Sequence, residues 1–189
     1  MERTWKNLSA TLMAIVLVLG VGLACSGTSG GSDETDKANK LVDEGNAAVN
    51  DGKKFLTDAQ EKVTTMMGTD FKHLSDARNL ANEAIRLYDQ AEDKVKAAAG
   101  KYDDGSKLKV DDHFKDYLSA KAKEFNTRSQ AVEALKSVPQ ALLDAHDYNS
   151  FTSRANAANQ KAQSLSKDAD DQAAQADKIM KDNPNSFKH

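Results

Sequence analysis

Small and apolar side chains recur at alternating steps of four and three along most of this chain, and that rhythm leaves few folds open to it. Over residues 36–67 the series is Ala38, Val42, Gly45, Val49, Gly52, Leu56, Ala59, Val63 and Met66, widened on one side by Leu41, Ala48 and Phe55. Over 71–99 it is Leu74, Ala77, Ala81, Ala84, Tyr88, Ala91, Val95 and Ala98, with Ile85 beside it. Over 150–182 it is Phe151, Ala155, Ala158, Ala162, Leu165, Ala169, Ala176 and Ile179, interrupted at Gln172. A period near 3.5 residues held this long means amphipathic helices packed side by side at shallow angles. The abundance of Ala and Gly on the stripes means that their axes approach closely.

A rougher stretch over 108–146 completes the set. Phe114, Leu118, Phe125, Val132, Leu135 and Leu142 supply an apolar face, but Lys121 and Arg128 fall on it. Pro139 removes a backbone donor, so this helix is expected to kink or restart near Val138, with Ser137 as a cap. The connections are punctuated by Gly68-Thr69-Asp70, by Gly100 through Gly105-Ser106, and by Asp147 through Ser150. Asn183-Pro184 stops the last helix and leaves a tail over 184–189. Short connections make neighbours antiparallel, and helices of about 30 residues are roughly 45 Å long. The fold class expected is all-α, an elongated up-down-up-down four-helix bundle with coiled-coil-like packing over 36–183. Glu44-Gly45-Asn46 with Gly52 has the look of a tetratricopeptide repeat, but thirty-four residues later Asn79 stands in place of Gly45 and the helices are too long.

Ahead of the bundle the chain changes character. Arg3 and Lys6 precede an uncharged apolar run from Leu12 to Leu19 that continues through Gly20 to Ala24, followed by Cys25 and then Gly27-Thr28-Ser29-Gly30-Gly31-Ser32. The run is shorter than the ~20 residues of a membrane span and has the proportions of a secretory h-region. Cys25 is the only cysteine, so it closes no intrachain disulfide. Gly22-Leu23-Ala24 also satisfies the small-x-small rule of ordinary secretion, which would release a soluble chain with a free thiol. An uncleaved anchor is the third alternative. A lone thiol in an oxidising compartment is a liability, which favours its modification.

Residues 1–25 resemble the type II signal peptide of bacterial lipoproteins, in which a small residue precedes the cysteine that becomes lipidated. Ala24 and Cys25 match that pattern, while Gly22 and Leu23 depart from its usual order of Leu then a small residue. The resemblance implies cleavage after Ala24, a diacylglyceryl thioether on Cys25, and residence at the membrane through that lipid. Two or more acyl chains hold a protein firmly where one does not. By the same resemblance Ser26, rather than Asp, after the cysteine implies sorting to the outer membrane. Residues 25–35 then form a tether, and ~10 such residues span roughly 16–19 Å.

Composition narrows function further. Removing Glu2, Arg3 and Lys6 from the 29 acidic and 26 basic side chains leaves 28 and 24, a mildly acidic and well-mixed body without the basic stripe that nucleic acid binding requires. Trp5, the one tryptophan, leaves with the signal peptide, removing the indole platform that often stacks on sugars. A di-metal site in a bundle core needs Glu-x-x-His pairs, and the residues three before His73, His113, His146 and His189 are Asp70, Val110, Leu143 and Ser186. A calcium loop starting at Asp103 would need its bidentate Glu where Phe114 stands, and Asp168, Asp170 and Asp171 read as a solvated face. No phosphate loop, nucleophile elbow or haem motif occurs, so no catalytic residue, metal or cofactor is expected.

Gly45 and Gly52 carry the remaining interest. Each costs up to ~1 kcal/mol in a helix interior, and they lie seven apart on the stripe. Tight packing explains them, and so does a shallow groove for a partner helix or an apolar ligand; Met66, Met67 and Met180 near the bundle ends read as core filler. The function expected is that of an envelope lipoprotein acting as a non-catalytic structural or interaction module for another envelope protein. The alternative is a periplasmic ligand-binding or sensory bundle with its ligand near Gly45 and Gly52.

Overall fold

Helix formation begins earlier than the tether's composition implies. In the computed structural model, which describes residues 33–69 and 73–187, α1 covers Asp33–Gly68 and so takes in residues 33–35 of the expected tether. Asp33, Glu34 and Asp36 place negative charge on the positive end of the helix dipole, and Lys37 reaches back to Asp33 at 2.8 Å. Residues 1–32, with Ala24 and Cys25, lie outside the described residues.

The second helix, α2, covers Leu74–Ser106 and runs through Gly100 and Gly105, where the sequence predicts a connection from residue 100. Packing overrides the glycines. Tyr102 is fully buried, stacks on Phe125 with ring centroids 5.4 Å apart, and donates its hydroxyl to Asn46 Oδ1 at 2.8 Å. Gly105 lies against Leu118, whose Cδ1 would be 3.3 Å from an added Cβ. His73 occupies the N-terminal boundary of α2 without a capping hydrogen bond, while Asp70, the expected cap, lies outside the described residues.

Two aspartates set the starts of the remaining helices. Asp111 accepts from the amides of His113 and Phe114 at 2.9 and 3.4 Å and opens α3, Asp112–Asp144. Asp147 accepts from the Ser150 amide at 2.7 Å and opens α4, Tyr148–Asp182. The helix does not restart at Pro139, which lies inside it. Pro139 is buried together with Val138, Ala141 and Leu142, and this packing holds the turn despite the missing donor. Ser137 is no cap; its hydroxyl donates to the Glu133 carbonyl at 3.4 Å. A single 3₁₀ turn, Pro184–Phe187, folds the tail back so that Phe187 packs edge-on against Phe114 and Tyr117.

The protein is thus an all-α four-helix bundle. Each helix packs closely on the next in sequence, whereas α1 and α4 make no comparable approach. Ala77, Ala81, Ala84, Ala91 and Ala98 line the buried face of α2 and let its neighbours come close. Cross-strut ion pairs join α1 to α2 at Glu44–Lys101, Asp51–Lys94 and Lys62–Glu83, but among the described residues none joins α1 to α4. The apolar interior falls into two clusters. One surrounds Met66, Tyr88, Leu135 and Phe151; the other, at the end where both termini emerge, surrounds Val42, Tyr102, Leu118 and Phe125.

The glycines differ in a way that stability measurements can read. A Cβ on Gly45 would stand 2.9 Å from Cε2 of Tyr102, a ring pinned by Phe125 and Asn46. Gly100 is exposed with nothing within 4 Å. In urea unfolding, Gly100→Ala is expected to gain about 0.5–1 kcal/mol and Gly45→Ala to lose about 1–3 kcal/mol.

Candidate functional site: a charged layer inside the bundle

Between the two apolar clusters α3 carries charge into the core. Lys121, Glu124 and Arg128 are 3 %, 0 % and 1 % exposed, which is rare for such side chains and never free of cost. Their spacing of three and four residues places them on one helix face, the face that also carries Leu118, Phe125 and Val132. Glu124 serves both cations: Lys121 Nζ donates to Oε2 at 2.5 Å and Arg128 Nε to Oε1 at 2.8 Å. Lys121 also sits 4.7 Å from the centre of the Phe125 ring. The arginine then crosses to α4, where Nη2 donates to Asp170 Oδ1 at 3.0 Å on a carboxylate that is mostly exposed.

Not every polar atom of the layer is satisfied. Arg128 Nη1 is buried without a hydrogen-bond partner, as are the side-chain oxygens of Asn159 and Gln172 on α4. A second network lies alongside on α2 and α3. Glu92, 7 % exposed, accepts from Lys96 at 2.5 Å and Lys136 at 3.2 Å, and Lys136 also reaches Asp89 at 2.8 Å. Burial pushes the Glu92 carboxyl upward, but the hydrogen bonds from Lys96 and Lys136 and their charges prevail and hold it below its ordinary value.

The residues singled out from sequence fare differently. The space over Gly45 is taken by the Tyr102 ring, and that over Gly52 by Val95 and the stem of Lys94, which is the tight-packing alternative rather than the groove. Met66 and Met67 are buried in the core, and Met180 packs beside the second cluster. His73, 3.7 Å from Asp76, and His113 and His146 are exposed; His189 lies outside the described residues. Asp103 and Asp104 pair with Lys107, and Asp171 with Lys167, in ordinary surface ion pairs. Among the described residues no three His, Cys, Asp or Glu side chains converge as metal ligands would.

Sequence reasoning marked Lys121 and Arg128 as interruptions but passed over Glu124. The signal was there: an acid placed three residues after one misfit cation and four before the other is the one residue able to neutralise both.

Breaking and erasing the layer have opposite outcomes. Glu124→Ala strands two buried cations and is expected to cost about 3–5 kcal/mol, whereas replacing Lys121, Glu124 and Arg128 together by Met, Leu and Met is expected to leave stability unchanged or raise it by about 1–4 kcal/mol. Urea midpoints of the two variants test this. Glu92 gives a pH signature as well. Because its folded pKa is depressed, its stabilising contribution is complete above the ordinary value of 4.5 and is lost as pH falls through the folded one. Thermal midpoints measured downward from pH 5 are expected to fall less steeply in Glu92→Gln than in the wild type.

No family model matches this chain, and neither does any curated protein or solved structure.

Proposed function

We propose that this protein is a membrane-anchored bacterial cell-envelope lipoprotein whose helical body serves as a non-catalytic structural or protein-interaction module. One observation carries the reading: the lone Cys25 directly follows Ala24 at the end of a short apolar run and precedes a Gly/Ser tether. Lipid on Cys25 localises the protein, and the residues between Cys25 and Asp33 give it reach. Among the described residues no helix is long and apolar enough to cross a membrane.

The body's construction supports the second half of the reading. The start of α1 meets the α2–α3 connection, where the Lys109 amide donates to Glu34 at 3.4 Å, and the tail packs at the same end through Phe187. An anchor attached before Asp33 therefore lies nearest this end, and the opposite end of helices about 50 Å long lies farthest from the point of attachment. Leu74, 38 % exposed, lies at that distal end and is the one large apolar side chain so exposed among the described residues. A neighbouring envelope protein would dock there or along the polar helix faces.

Fractionation of the producing cells tests the anchor. The wild type is expected in the membrane pellet and Cys25→Ala in the supernatant or as an unprocessed precursor, while the intact mass of the native product should exceed that of residues 25–189 by the mass of its acyl groups. A native product at the bare polypeptide mass would overturn the reading.

A further inference from the structure

The tail packs on the one side of the bundle, between α1 and α4, that helix-to-helix contact does not seal. Asn183 ends α4, its amide and its side chain both donating to the Ile179 carbonyl, at 3.1 and 3.0 Å, and Pro184 breaks the helical path. The Ser186 amide closes the 3₁₀ turn onto the Asn183 carbonyl at 3.1 Å. Phe187 then meets the rings of Phe114 and Tyr117 edge-on, with centroids 5.6 and 5.4 Å away, a geometry that aromatic pairs favour. Asn39, Val42 and Asp43 from α1 and Met180 from α4 complete the pocket, so α1, α3 and α4 converge on one half-buried ring. The void that remains beside it is ≈ 10 Å³, no more than a single water needs, so Phe187 fills the space.

From this arrangement we propose that Pro184–Phe187 is a releasable strap: seated, Phe187 ties the end of α4 to the start of α1, and released, it uncovers an aromatic pocket formed by Val42, Phe114, Tyr117 and Met180. None of the four residues of the turn is fully buried, so the strap can lift without disrupting a core side chain. The other helix pairs at this end have ties of their own. Glu44–Lys101 and the Tyr102–Asn46 hydrogen bond join α1 to α2, and the Tyr102–Phe125 stack joins α2 to α3. The distal cluster around Leu135 and Phe151 lies beyond the charged layer and shares no residue with the pocket, so local opening need not reach it. The device is independent of the lipid anchor and stands or falls without it.

Amide hydrogen exchange of the full chain, read by mass spectrometry, tests the strap. Phe187→Ala is expected to speed exchange about tenfold over residues 35–43 of α1 and 172–182 of α4, while residues 56–66 and 151–162 of the distal half stay within about twofold of the wild type. The unchanged distal segments show in the same experiment that the variant is folded. Fluorescence of the apolar dye anilinonaphthalene sulfonate is expected to rise with the same substitution, because the vacated pocket admits it. Unchanged exchange over 172–182 overturns the proposal, and so does equal acceleration in all four segments, which is global destabilisation. Acceleration confined to 172–182 shows that Phe187 serves α4 alone and ties nothing to α1, and overturns it as well.

Discussion

The neutralisation of two buried cations by Glu124 is the interaction on which the interior of this bundle depends. Elsewhere the helices meet mainly through alanines, valines and a few rings, with Tyr102–Asn46 and the Lys136 bonds to Glu92 and Asp89 as polar links between them. The carboxylate bonded to Lys121 at 2.5 Å and Arg128 at 2.8 Å keeps two cations neutralised in the dry interior, and losing it would leave both charged and unpaired there. All three residues belong to α3, so the helix brings its own compensation into the core. The Arg128–Asp170 contact carries that layer across to α4. An interior of small side chains specifies distance well and register poorly; the charged layer supplies what the alanines lack.

The seams of the bundle differ for related reasons. On α1 the heptad row Asn39, Asn46, Lys53 and Gln60 is polar throughout, while α2 turns an almost unbroken alanine row toward its neighbours. Small residues bring α1, α2 and α3 together, and three cross-strut ion pairs decorate the α1–α2 seam without adding much, since exposed pairs are worth little. The α1–α4 side has neither the small-residue row nor the struts. At its terminal end Phe187 closes it, wedged against Phe114 and Tyr117 beside Val42 and Met180. The fold is therefore three tightly sealed seams and one looser one, with the tail as its stopper.

The heptad rhythm made helix number, order and fold class legible, because burial of a stripe is the same physics in sequence and in structure. Boundaries were less legible: Asp111 and Asp147 bond the first turns of α3 and α4, but the apolar stripes alone set those starts at residues 108 and 150 rather than 112 and 148. Glycine was misleading at residues 100 and 105, where the cost of about 1 kcal/mol per residue is outweighed by the burial of Tyr102 and the close contact with Leu118. Proline misled in the same way at residue 139, inside a turn held by Val138 and Leu142. A sequence displays local propensity directly but shows tertiary contacts only through spacing, and both errors fall where tertiary contacts decide.

The charged layer shows how far spacing alone can go. Lys121 and Arg128 on an apolar stripe signal either a weak helix face or a buried network, and the alternatives are separated by whether an acid lies within one turn of both. Glu124 does. The crossing of Arg128 to Asp170 is different in kind, since it depends on how α3 and α4 come to rest against each other and leaves no trace in either helix's own pattern. The proposed anchor is read for the opposite reason: Ala24 and Cys25 are picked out by their local order, with no fold required. The signal-like N-terminal pattern and the Arg128–Asp170 crossing thus sit at the two extremes of what a sequence encodes, one wholly local and one wholly tertiary.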